Sequence, residues 1–227
     1  MEQPLQRFTR DEMLKELRDA EREKRTANLS YKLLPEFSFS EKEIDISLNL
    51  EGSTIQGAIY FENCRIGGDL ILEKTLIYRT LYIANSQIKG NLIAKQAHIR
   101  EVVNLVASTF QKNIIFERAN IKGFLGLNKV HIIGDLDANN LLITDIDTRS
   151  GIIKGDIYLR QADIKGSVNF EEVTAEGLSN LKNSSIAKDL NFKNAKFKGI
   201  VILSGTVIEG DIDTENLQCQ KLIAHLV

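Results

Sequence analysis

The stretch Ile88–Asn120 runs IKGNLIAKQAH, IREVVNLVAST, FQKNIIFERAN, three eleven-residue units laid end to end. Each unit opens on Ile or Phe, carries an aliphatic residue at its fifth place and has Ala, Leu or Phe at its seventh. The tenth place is small: Ala97, Ser108, Ala119. Apolar residues two apart point to one side of an extended strand. The full inward set, at places one, five, seven and ten, cannot share one side of a helix. Short flat strands that turn at corners can hold all four inside.

The unit extends in both directions. Starting at residues 44, 55, 66, 77, 88, 99, 110, 121, 132 and 143, the first place is Ile or Phe every time. One unit is then a residue short, and the series resumes at 153, 164, 175, 186, 197 and 208, with only Ala175 small. The third place is Gly in ten of these sixteen units and otherwise often charged, as at Arg79, Glu101, Lys112 and Lys188, so it lies outside at a corner. Gly followed by Asp or Asn, as in Gly68-Asp69 and Gly90-Asn91, is what a left-handed corner favours. Two units make a 22-residue coil, and sixteen units predict eight coils spanning about 38 Å at ~4.8 Å per coil. The expected fold class is all-β: a parallel β-helix in which each coil buries its apolar residues against the same places above and below.

Ahead of the array, residues 9–26 predict one short helix. Thr9 with Glu12 forms a capping box, and Met13, Leu14, Leu17 and Ala20 follow at helical spacing. Its apolar stripe is narrow and needs a surface, either the raw end of the array or its side. Residues 1–43 are therefore expected to be helix, lead-in and cap, with an irregular half-turn near Pro35, Phe37 and Phe39, and residues 44–227 the solenoid.

Composition narrows function by subtraction. A net charge of −2 recruits neither nucleic acid nor anionic membrane. No apolar run is long enough to span a bilayer, and the first dozen residues lack a signal-peptide core. Two cysteines, Cys64 and Cys219, both at inward places, read as buried thiols of a reducing cytoplasm. The three His are scattered, His98 and His131 on opposite sides and His225 at the far end, so neither a metal nor an acid–base cluster follows. No cofactor is expected.

Small-x-Ile triplets followed by Leu-x-Leu carry a resemblance: Cys64-Arg65-Ile66, Ala97-His98-Ile99, Ala119-Asn120-Ile121, Ala162-Asp163-Ile164 and Ala195-Lys196-Phe197. Over residues 44 to 218 the chain resembles the pentapeptide-repeat proteins. The departure is that every second five-residue unit carries an extra residue, usually the Gly corner. The resemblance implies a right-handed, four-sided β-helix. A weaker likeness, in Ile153 to Ile157 and Ile208 to Ile212, is to the bactofilins, β-helical bacterial polymers.

Three surfaces could carry function. The outward sixth place on one face stacks Ile71, Ile93 and Ile115 into an apolar strip, covered by the helix or by a partner. At the far end, Leu217, Cys219 and Ile223 continue the inward register with no capping helix, predicting self-association, most simply as a two-fold end-to-end dimer. The irregular segment Gly134–Gly151 puts Asp147 and Arg149 at inward places and crowds Asp135, Asp137, Asp145 and Asp147. It is the one candidate for a cation or enzyme site, against a bulged corner with solvated charges. The expectation is a non-enzymatic scaffold or protein–protein interaction module. Topoisomerase binding by DNA mimicry, known in some pentapeptide-repeat proteins, needs a strongly acidic surface that this mixed-charge chain lacks.

Overall fold

The computed structural model describes residues 5–225. The chain winds into a parallel β-solenoid of about ten turns with a single short helix. Equivalent residues 22 apart are paired strand neighbours: Leu70 with Leu92, Leu92 with Ile114, His98 with Asn120. Four faces follow the repeat in order. The first centres on places eleven and one (Gln87–Ile88), the second on five and six (Leu92–Ile93), the third on His98–Ile99 and the fourth on Val103–Asn104. The third face carries ten strands and the fourth nine. The first two join in one sheet because Lys196–Ile202 and Gln218–Ile223 run straight through the corner between them.

The predicted inward places are the core. Ile88, Leu92, Ala94 and Ala97 are fully buried, as are Phe110, Ile114 and Phe116 a coil further on. Stacking like on like also orders the rings: Phe170 and Phe192 lie parallel at 5.5 Å, and Phe39 stacks on Phe61 at 5.7 Å. Each buried aliphatic side chain contributes about 1.5–3 kcal/mol, and the array repeats that gain along its length.

Four expectations change. The array begins before Ile44: Ala27, Leu33 and Phe37 pair with Leu48, Thr54 and Ile59, so the presumed lead-in is itself a coil and the turns outnumber the expected eight. The helix, α1 (Arg10–Glu23), is shorter than expected because Lys24 adopts a left-handed conformation and caps it.

The left-handed corner is not at the glycines. It recurs at the ninth place, in Lys74, Asn85, Gln96, Ala107, Arg118, Lys129 and Asn140, and only Gly52 and Gly205 among the glycines share it. The third-place glycines answer a different demand. A Cβ on Gly90, Gly134 or Gly155 would meet the side-chain oxygen of Asp69, Asn113 or Asp135 from the preceding coil. That oxygen accepts the backbone N–H beside the glycine: Asn91 N to Asp69 Oδ1 at 2.6 Å, Asp135 N to Asn113 Oδ1 at 2.8 Å, Asp156 N to Asp135 Oδ1 at 2.8 Å. An Asx ladder thus runs down this corner, and glycine leaves room for it.

Finally, the short unit loses its residue at the corner. Ile146 pairs with Leu125, so Ile146 and Thr148 turn inward, and Asp147 and Arg149 stay outside.

Candidate interaction surfaces

The N-terminal end carries α1. Thr9 caps α1 through a reciprocal box, Thr9 Oγ1 accepting from Glu12 N at 3.2 Å and Glu12 Oε2 accepting from Thr9 N at 2.7 Å. Met13, Leu17 and Ala20 are buried, and the helix packs chiefly on Ala27–Asn28. Arg25 pairs with Glu16 and Glu23 at the helix exit, and Glu16 Oε1 accepts from Asn28 N at 2.8 Å, tying the helix to the first coil.

The second face carries the isoleucine strip. Ile71, Ile93 and Ile115 are in register on successive coils, each partly exposed. The ladder continues through Asp137 and Tyr158 to Asn180, Ile202 and Ile223. Lys95 and Glu117, paired at 3.0 Å, flank the strip. On the opposite face Tyr60 and Tyr82 point outward, their rings tilted at 51° with centres 5.8 Å apart.

Among the described residues nothing covers the last coil. Leu222 is 38 % exposed, whereas Val201, one coil above it, is fully buried. Ile208, Ile212, Leu217 and Cys219 also pack on the core from partly buried positions. The last described coil skips one residue between Phe197 and Ile200, so Leu222 takes the inward fifth place. Ile223, expected inside, joins the outward ladder beneath Ile202. Residues 226–227 lie outside the described residues.

The acidic segment is tied to the backbone. Asp135 accepts from Asp156 N, Asp137 from Asn139 N, Asp145 from Ser167 N and Asp147 from Arg149 N, at 2.7 to 3.1 Å. Arg149 also clamps Asp147 side-on, Nη2 to Oδ2 at 2.7 Å. Partial burial pushes the Asp147 carboxyl up, but the bonds from Arg149 and Asn128 outweigh it and hold it below the usual carboxylate range. Among the described residues no group of three or more His, Cys, Asp or Glu is placed to hold a metal ion. His98 and His131 stand on the third and first faces. Cys64 is buried, Cys219 half-buried, and both are free thiols.

The repeat pattern did not reveal one feature, the corner after the second face. There Asn139, Arg160 and Lys182 occupy the eighth place on successive coils, and with Asn140, Gln161 and Asn183 they line a hollow of about 300 Å³. Its signal at that place is partial: Glu51, Glu73, Lys95 and Glu117 are followed by Asn139, Arg160 and Lys182, with no further carboxylate.

Among the described residues no helix is long and apolar enough to cross a membrane. No family model, no curated protein and no solved structure matches the chain.

Proposed function

We propose that the protein is a non-enzymatic solenoid scaffold that docks a second copy of itself through its last coil, as a two-fold end-to-end dimer. The observation that carries this is the contrast between the fully buried Val201 and the 38 % exposed Leu222 one coil on. Interior places become a surface there, and its unpaired strand edge templates association. A two-fold contact closes on itself. The helix over the other end favours a closed dimer over a bactofilin-like filament. The 22-residue coil with four inward places supports reading the chain as a variant of the pentapeptide-repeat solenoid. Free thiols at Cys64 and Cys219 fit a cytoplasmic setting. The isoleucine strip offers a second surface, suited to a protein partner.

The experiment is light scattering after size exclusion over a wide concentration range. The wild type should run as a dimer and Leu222→Lys as a monomer with unchanged circular dichroism. A wild type that stays monomeric at the highest concentration ends the proposal. So does a dimer that survives Leu222→Lys and is broken by Ile93→Lys, which would place the contact on the strip.

A further inference from the structure

Two hollows of similar size occupy corners of the solenoid, and they differ in one respect. The first, of about 310 Å³, is lined by Asn128, Lys129, Arg149, Ser150, Glu171 and Glu172. Its arginine is neutralised, since Arg149 is clamped on Asp147, and two carboxylates share the lining. The second is the acid-free hollow at Asn139, Arg160 and Lys182, of about 300 Å³. There the arginine is held but not neutralised.

Asn139 is 8 % exposed, and its Oδ1 accepts from both the backbone N of Arg160 (2.9 Å) and its Nε (3.1 Å). The Asn139 amide is oriented in turn by Asp137, whose Oδ1 accepts from Nδ2 at 2.7 Å. The guanidinium also lies 5.6 Å from the centre of the Tyr158 ring. Tyr158 is fixed by donating its hydroxyl to Asp156 Oδ2 at 2.5 Å. One buried amide and one ring thus set the plane of Arg160, while neither it nor Lys182 takes part in an ion pair among the described residues. Gln161 N donates to Lys182 O, so the backbones that carry Arg160 and Lys182 stand on neighbouring coils, about 4.8 Å apart along the axis. A guanidinium whose Nε is already occupied presents its two terminal nitrogens to a ligand. With Lys182 on the next coil lining the same hollow, that arrangement suits a tetrahedral oxyanion.

We propose that this corner is a binding site for a phosphate- or sulfate-type group. Arg160 takes two of its oxygens and Lys182 a third, while Asn140, Gln161 and Asn183 offer hydrogen bonds to whatever hydroxyls adjoin it. Asn139 is a positioning residue.

The test is calorimetric titration of the full chain with inorganic phosphate and inorganic sulfate, and with acetate for comparison. Saturable binding of one or both tetrahedral anions is expected, and which binds tighter separates the two sources. Arg160→Gln and Lys182→Gln should each weaken it by about tenfold or more. Arg149→Gln, at the neutralised corner, should leave it unchanged. All three are exposed and should fold as the wild type, checked by circular dichroism. Absence of saturable binding, equal binding of acetate, or an equal loss in Arg149→Gln would overturn the proposal.

Discussion

At the scale of single residues, the corner chemistry divides between two places. Third-place glycines are kept for space and ninth-place residues carry the positive φ, so substitutions at the two should have opposite signs. Gly155→Ala would drive a methyl into Asp135 Oδ1 and the Gly134 carbonyl. Such overpacking costs about 1–3 kcal/mol in chemical denaturation. Ala107→Gly should instead raise stability by up to about 1 kcal/mol, because it removes left-handed strain at an exposed position with φ 52°. Asp147 governs part of the acid limb. Its folded carboxyl lies below its unfolded value, so its contribution is fully present above the ordinary carboxylate range, about pH 4–5. It is lost as pH falls through the folded value. Asp147→Asn should therefore lower stability at neutral pH and flatten the decline below about pH 5, measured as denaturation midpoint against pH.

At the scale of elements, the unit is the eleven-residue half-coil, and no half-coil stands alone. Its strands are mostly two residues long and hold only because the coils on either side supply hydrogen-bond partners. A buried charge should consequently be felt across several coils. Phe116 is fully buried between them, and Phe116→Asp should cost several kcal/mol. The expected readout is loss of the cooperative unfolding transition. The half-coils were legible because places one, five, seven and ten repeat from Ile44 with a single short unit after Ile143. The coil at Ala27–Glu43 was not, because Pro35 and Glu36 interrupt the same pattern. The Asx ladder was half legible: Gly-Asp and Gly-Asn were visible as pairs. The bond from each Asx to the next coil's backbone, however, joins residues about 22 apart.

At the scale of the molecule, the two described ends differ, and on the proposed dimer that difference would set assembly. One is covered by α1 and the other presents Leu222, Leu217 and Cys219. Removing residues 1–24 would expose Ala27 and Leu29, which are buried in the intact chain. With both ends open, a heterologous contact no longer closes. If the proposed dimer forms, the truncated protein should grow past it into concentration-dependent higher species and bind more apolar dye. A truncated chain of unchanged size and dye binding would show that α1 covers nothing that associates.

The amino-acid sequence by itself determined the repeat, the identity of the core residues and the capped helix. Each is a short-range periodic signal, set by side-chain polarity and by bonds between residues three or four apart. Tertiary structure alone decided where the short units lose their residue, hence that Ile146 and Thr148 turn inward while Ile223 turns out. It also decided which cation is neutralised, Arg149 but not Arg160. Skipping one residue flips every following side chain, and only pairing with the preceding coil determines where the skip falls.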